Sequence, residues 1–352
     1  MIVNNRLLRK IFPTITFQVT VLLALWWGMV VVTYAESVPG PLVDTPWLAN
    51  NLGKVVILDV RENEESFENK AEPPKLPVNP CGVRKAAEEK PFIVSGHIPG
   101  AVLVPWKEVI EKRKVDAVEL KFMLPTKENF EKLMQKSGVS NDSAIVVTSL
   151  GMTPGDVMTA TRLYWSLKYF GHDNVTLLNG GTAQWVKDGR ETEYGKSKSQ
   201  KGEFKATAER QEMLATAADV MKVVKSENKE EQLIDVRGQD LYLGLTYPAK
   251  FVQAHGQGHI PGAKSFPIYF MTNAASPVAS IYSKENILKV AEVNGIDVTK
   301  PTIAYCNTGA QASVGWFVWH ELLGNKNVRL YDGSMHEWSM DANKPVTAMK
   351  VE

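Results

Sequence analysis

The chain has 352 residues and a formal net charge of +1, from 40 lysines and arginines against 39 aspartates and glutamates. This length is too great for one ordinary α/β domain and is about right for two. The balanced charge argues against nucleic acid or another polyanion as a partner, and 44% hydrophobic residues suffice for well-filled cores.

The N-terminus joins a basic start to a long uncharged segment. Arg6, Arg9 and Lys10 precede residues 15–35, which carry no charged side chain. Residues 1–35 are therefore predicted to be a signal peptide or, because the segment is about long enough to span a bilayer, an N-terminal membrane anchor. Both interpretations predict export, either to the periplasm or tethered on the outer face of the inner membrane.

Three sequence blocks then occur twice, in the same order. The first copy reads KVVILDVRE, SGHIPGAVLVP and FGHDNVTLLNGGTAQW, and the second reads EQLIDVRGQ, QGHIPGAKSFP and LGNKNVRLYDGSMHEW. Self-similarity of this kind is the mark of a duplicated domain. We predict one domain over residues 38–190, a polar linker over 191–210 and a second domain over 211–346.

Each copy alternates short apolar strands with helical stretches. In the second copy a helix is predicted over residues 311–323, ended by Gly324, and the strands are predicted at residues 232–236, 263–267, 302–305 and 328–331. Strands separated by helices predict an α/β fold in each copy, with a mainly parallel sheet flanked by helices.

One of the two cysteines lies where chemistry is expected. Cys306 follows a predicted strand and begins a turn of small residues that leads into a helix. The backbone N–H groups of such a turn and the N-terminus of the helix favour an anion. The pKa of Cys306 is therefore predicted to fall below the value of about 8.5 of a free thiol. Cys81 lies in a proline-rich, charged insertion and is interpreted as a surface or packing thiol, free or paired.

Together, the DVR, GHIPGA and LYDGSMHEW blocks and the turn headed by cysteine resemble the tandem-domain rhodaneses, the thiosulfate and 3-mercaptopyruvate sulfurtransferases. The resemblance covers nearly all of residues 38–346 and implies two rhodanese-like domains. It makes Cys306 the catalytic residue, and the substrate-binding residues that it implies are Asn307, Thr308, Gly309, Ala310, Gln311 and Arg237. Arg237 is also a candidate ion-pair partner of Asp235. Ser149 stands at the cysteine position of the first copy, which is therefore predicted to be catalytically silent.

The activity implied by the resemblance is a double displacement. Cys306 takes the sulfane sulfur of thiosulfate, mercaptopyruvate or a persulfide, and passes it to a thiol or cyanide acceptor. This chemistry needs neither a metal nor an organic cofactor. The loop carries no charge and cannot neutralise a dianion. Leu241 also stands where an arginine is expected, so Lys250 remains a candidate cation.

Two further interpretations use the same residues. A neutral loop suits an exported sulfur carrier or binding module, which would deliver persulfide sulfur to an exported acceptor protein without efficient turnover of small donors. A cysteine phosphatase would need an arginine at the position of Ala312 to clamp phosphate, so the sequence argues against a phosphatase.

Overall fold

The structure is a computed structural model, and it describes residues 37–71, 92–115, 118–197, 199–273 and 276–349. The predicted signal or anchor and Cys81 lie outside these residues. Within them, no helix has both the length and the apolar character needed to cross a membrane.

In the first half, the described residues form seven strands and six helices. The strands are β1 (Leu42–Val43), β2 (Val56–Arg61), β3 (Val102–Pro105), β4 (Glu111–Val115), β5 (Val118–Met123), β6 (Ile145–Ser149) and β7 (Val175–Leu178). The helices are α1 (Thr45–Asn50), α2 (Glu65–Glu68), α3 (Trp106–Val109), α4 (Lys127–Lys136), α5 (Pro154–Tyr169) and α6 (Gly181–Lys187).

The second half repeats this plan with shorter elements. Its strands are β8 (Leu214–Ala215), β9 (Gln232–Asp235), β10 (Lys264–Ser265), β11 (Thr272–Asn273), β12 (Ser280–Ile281), β13 (Thr302–Tyr305) and β14 (Val328–Tyr331). Its helices are α7 (Ala217–Val224), α8 (Gln239–Leu243), α9 (Lys284–Val293), α10 (Ala312–Trp316) and α11 (Ser334–Trp338).

Both halves build the same five-stranded parallel sheet. The strand order is β1-β7-β6-β2-β3 in the first half and β8-β14-β13-β9-β10 in the second. Every neighbouring pair in these sheets is parallel. The predicted α/β fold with two parallel sheets is confirmed. The predicted strand at 263–267 is shorter in the structure, because only Lys264 and Ser265 pair with β9.

Each half sends an antiparallel hairpin over the other. The β4–β5 hairpin of the first half leads to Leu124, whose N–H donates to Asp332 in the second half over 2.7 Å. The β11–β12 hairpin of the second half ends at Ile281, which bonds Asn179 of the first half through both its N–H and its C=O. Each hairpin therefore reaches a residue that directly follows a strand of the other half, Asp332 after β14 and Asn179 after β7.

The helices that follow β6 and β13 pack against each other in the shared core. Tyr164 of α5 meets the ring of Phe317 edge to face, with the ring centroids 4.9 Å apart. The buried hydroxyls of Thr161 and Ser313 lie 2.9 Å apart. The helix predicted over 311–323 is confirmed, although it widens into a π-helix after α10, at Phe317–Leu322, before Gly324 turns the chain at a φ of 83°.

Candidate active site

A buried ion pair supports the end of the second strand of each half. In the second half, Arg237 binds Asp235 through Nε and Nη2, and Nη2 also donates to the carbonyl of Gly258 over 2.6 Å. In the first half, Arg61 and Asp59 make the same pair, with N···O distances of 2.9 and 2.7 Å. Because the pair recurs in the first half, where Ser149 stands at the position of Cys306, it belongs to the common frame of both halves rather than to the cysteine site alone.

Arg237 nevertheless reaches the loop that carries the cysteine. Its Nη1 lies 3.4 Å from Oδ1 of Asn307. The rest of its guanidinium is bound by Asp235 and Gly258, and the residue is only 1% exposed. In this structure Arg237 therefore contacts the loop through Asn307 and fixes that side chain.

Cys306 lies at the carboxyl end of β13, directly before the predicted loop. The N–H of Thr308 donates to its Sγ over 3.4 Å, and the N–H groups of Gln311 and Ala312 also stabilise a negative charge on the sulfur. Gly309 makes this curvature possible with a φ of 79°, which a residue with a Cβ rarely adopts. The loop therefore directs three backbone donors at one sulfur.

Burial works against these donors. Cys306 is only 1% exposed. Desolvation raises the pKa of its thiol, and this outweighs the lowering by the backbone N–H groups and by Ser334. The predicted lowering of this pKa is therefore wrong, because sequence shows the turn but not how completely the sulfur is removed from water.

Ser334 connects the loop to the segment after β14. Its Oγ accepts hydrogen bonds from the N–H of Cys306 over 3.1 Å and from the N–H of Gly309 over 3.0 Å. The same hydroxyl donates to the carbonyl of Tyr331 over 2.7 Å. Ser334 makes these bonds at a φ of 50°, a strained conformation for a residue other than glycine. The hydroxyl is thus held where it satisfies two buried loop amides.

Asp332 connects the same segment to the first half. Its carboxylate pairs with Nη2 of Arg162 over 2.6 Å, and both side chains are almost fully buried. It also accepts the N–H of Leu124, and its backbone lies so close to Gly309 that a Cβ there would come within 2.6 Å of the Asp332 carbonyl. Arg162 and Leu124 both belong to the first half. The loop therefore rests on a residue that the first half holds in place.

The first half lacks these parts at the equivalent positions. Ser149 ends β6 where Cys306 follows β13, Asn179 replaces Asp332, and Gly181, at a φ of 59°, replaces Ser334. Ala279 from the second half donates its N–H to Gly151 over 2.8 Å, beside Ser149. The first half therefore has the same strands and loop positions, with Ser149 in place of the Cys306 thiol and Gly181 in place of the Ser334 hydroxyl.

Comparison with known proteins agrees with this geometry. The family model for the rhodanese-like domain matches the chain twice, over residues 44–188 and 217–341. The chain belongs to the rhodanese family. Each match includes four of the five strands of a parallel sheet, and the second includes Cys306 and its loop.

Two known proteins and one solved structure are similar to most of this chain. A protein of Saccharopolyspora erythraea, provisionally named a thiosulfate sulfurtransferase, is 31% identical over 310 residues, which are 87% of this chain and 95% of the relative. The sulfur carrier protein TtuD of Thermus thermophilus is 33% identical over 258 residues, 72% of this chain and 85% of its own. The structure of SseA, a 3-mercaptopyruvate sulfurtransferase of Escherichia coli, superposes with a TM-score of 0.62 at 26% identity, covering 84% of this chain and 98% of that one.

Three residues that support the loop, Asp332, Ser334 and Arg162, were not predicted from the sequence. Asp332 and Ser334 lie in a repeated block, and their signal is the difference between the copies, Asn179 to Asp332 and Gly181 to Ser334. Arg162 gives no such signal, since a lone arginine in a helix is ordinarily a surface residue.

We predict that the Ser334 hydroxyl is required for sulfur transfer. Ser334→Ala and Ser334→Gly both leave two buried N–H groups without an acceptor, at about 1–3 kcal/mol each. Glycine relieves the strained φ, so Ser334→Gly is expected to regain about 1 kcal/mol of stability over Ser334→Ala. Both variants are expected to lose transfer by roughly tenfold or more.

The predicted change in stability is measured as the free energy of unfolding in urea, and the predicted change in transfer as the single-turnover rate of sulfur loading. Ser339→Ala is the matched control, because Ser339 is buried on the following turn and bonds Gln253 instead of the loop. Loading by Ser334→Gly at the wild-type rate would contradict the assignment.

We also predict that Arg162 and Asp332 act as one unit. Arg162→Met leaves a buried carboxylate without its cation, which is expected to destabilise the fold by about 3–5 kcal/mol and to slow loading. Arg162→Lys should recover part of both losses. Asp332→Asn gives the second half the asparagine that the first half has at Asn179. The double variant Arg162→Met/Asp332→Asn should lose less stability and less loading rate than the sum of the two single variants. Additive losses in urea unfolding and in loading would show that the residues act independently.

Proposed function

We propose that the protein is a sulfurtransferase that carries sulfur as a persulfide on Cys306. The observation that supports this best is the set of backbone N–H groups, from Thr308, Gln311 and Ala312, that converge on one buried sulfur. Such donors stabilise an anion without reorganising, and an anionic sulfur is present both before and after transfer. The two matches to the rhodanese family model, over residues 44–188 and 217–341, agree with the proposal.

The proposed reaction has two displacements. The thiolate of Cys306 attacks the outer sulfur of the donor, the bond from that sulfur to the rest of the donor breaks, and the leaving group departs with the electron pair. With thiosulfate the leaving group is sulfite. A thiol or cyanide then attacks the outer sulfur of the persulfide, and the sulfur–sulfur bond breaks to return the Cys306 thiolate.

The loop residues have different proposed parts in substrate binding. Thr308 and Gln311 offer N–H groups to the sulfur, and Gly309 and Ala310 shape the backbone around it. Asn307 and Gln311 are only partly buried, whereas the other loop members are buried, so substrate is proposed to meet these two side chains. Arg237 acts through Asn307, because its charge is already engaged by Asp235.

A sulfur carrier is the second candidate, and one specific observation favours it. A relative that is 33% identical over 72% of this chain has the name sulfur carrier protein. A carrier would load Cys306 once and hand the sulfur to a protein acceptor, and small acceptors would turn over slowly. The ratio of single-turnover loading to steady-state turnover with cyanide separates the two functions.

The central prediction concerns the mass of the protein after exposure to a donor. Thiosulfate, mercaptopyruvate or an organic persulfide is expected to add about 32 Da, the mass of one sulfur atom, at Cys306, and cyanide or a thiol is expected to remove it. Cys306→Ser should abolish the adduct and turnover. Cys81→Ser and Ser149→Ala are the controls and should stay within a few-fold of wild type. A sulfur adduct that persists in Cys306→Ser would contradict the proposal.

We also propose export, on the support of the sequence alone. The basic start and the uncharged residues 15–35 are typical of a signal or an anchor, and an exported acceptor protein would then be the partner. We predict that fractionated cells contain the protein outside the cytoplasm, with a new N-terminus near residue 36 or attached to the membrane. Soluble cytoplasmic protein that begins at Met1 would contradict this.

A further inference from the structure

The neutral loop meets solvent on one side. Cys306 is 1% exposed. In the loop from Asn307 to Gln311, Asn307 and Gln311 are partly exposed to solvent and the three residues between them are buried. Among the described residues, the side chain of Arg237 is the cation that touches this loop, and Asp235 compensates its charge. A charged donor that approaches Asn307 must therefore be met by groups outside the loop.

A group of aromatic rings from both halves lies next to Asn307. The N–H of His336 donates to the Asn307 carbonyl over 2.8 Å, and Nδ1 of His336 donates to the carbonyl of Phe251 over 2.7 Å. The Phe251 ring meets Phe122 of the first half edge to face, with centroids 5.1 Å apart. We name Phe122, Phe251 and His336 the aromatic rim.

Two lysines, one from each half, flank the aromatic rim. Nζ of Lys250 lies 5.4 Å from the centroid of the Phe251 ring. Lys121 directly precedes Phe122 in β5, and this strand packs against α11, the helix that carries His336. Burial lowers the pKa of His336, and the positive charge of Lys121 acts in the same direction. Within the part of the chain that the structure describes, neither lysine forms an ion pair with a carboxylate.

We propose that Lys121 and Lys250 hold an anionic sulfur donor beside Asn307, and that Lys121 makes the first half a part of the donor site. Two uncompensated cations beside a neutral loop attract a small anion with more than one negative charge, of which thiosulfate is an example. The loop then supplies the N–H groups for the transferred sulfur, and the lysines hold the part of the donor that leaves.

This inference rests on the proposed function, and it concerns how strongly the donor binds. The lysines do not touch the sulfur of Cys306, so their loss should weaken the binding of the donor more than the transfer of its sulfur. The effect should depend on donor charge. It should be larger for dianionic thiosulfate than for a monoanionic thiosulfonate, whose transferable sulfur is of the same kind.

The test is the rate of sulfur loading at Cys306 as a function of donor concentration, measured by intact mass in the full chain. Lys121→Gln is expected to raise the half-saturating thiosulfate concentration by about threefold to tenfold, with less change in the maximal rate. Lys250→Gln should act in the same direction, and the double variant more strongly. Lys114→Gln is the matched control, because Lys114 lies on the same hairpin, in β4, where its partner across the two strands is Glu119 of β5.

The outcomes distinguish this inference from the proposed function. A rise in half-saturation for Lys121→Gln that is larger for thiosulfate than for the thiosulfonate, with Lys114→Gln unchanged, supports it. Normal loading with the same half-saturation in Lys121→Gln and Lys114→Gln overturns the donor site and leaves the sulfurtransferase standing. Failure of every donor to load the wild-type protein overturns the proposed function and this inference with it.

Discussion

The buried carboxylate of Asp332 lies where the two halves and the cysteine loop meet. One oxygen pairs with Arg162, the other accepts the N–H of Leu124, and the backbone carbonyl lies against Gly309. A buried carboxylate is stable only when it is paired and hydrogen-bonded, and the first half supplies both kinds of partner. The loop that carries Cys306 is therefore held in shape by residues of the first half, in which Ser149 stands at the position of the cysteine.

The site balances two opposing effects on one sulfur. Desolvation disfavours the thiolate of Cys306, whereas the backbone N–H groups and Ser334 favour it, and desolvation prevails in the resting protein. The same exclusion of water makes each hydrogen bond to an anionic sulfur stronger once the anion forms. This arrangement suits a sulfur whose negative charge is stabilised by the loop during transfer and on the loaded persulfide.

The repeated blocks were enough to predict the two parallel sheets and the position of Cys306 after β13. The similarity of the two blocks drew attention away from the supporting residues. Asp332 and Ser334 stand at the positions of Asn179 and Gly181, and these differences between the copies are the only sign of their role in the sequence. The crossing hairpins could not be predicted, since β11 and β12 have only two residues each and their pairing depends on the other half. The burial of the Cys306 thiol could not be predicted from the sequence either, and it reverses the predicted direction of the pKa shift.

The loop is proposed to bind an anionic sulfur through its own backbone, and amide NMR of the loop tests this most directly. Spectra of the full chain are recorded before and after loading of one sulfur onto Cys306. The account predicts that the amide protons of Thr308, Gln311 and Ala312 shift downfield and exchange more slowly, while those around Ser149 stay unchanged. Loading that leaves these three amides unmoved would show that the donors converging on the sulfur in this structure do not hold it.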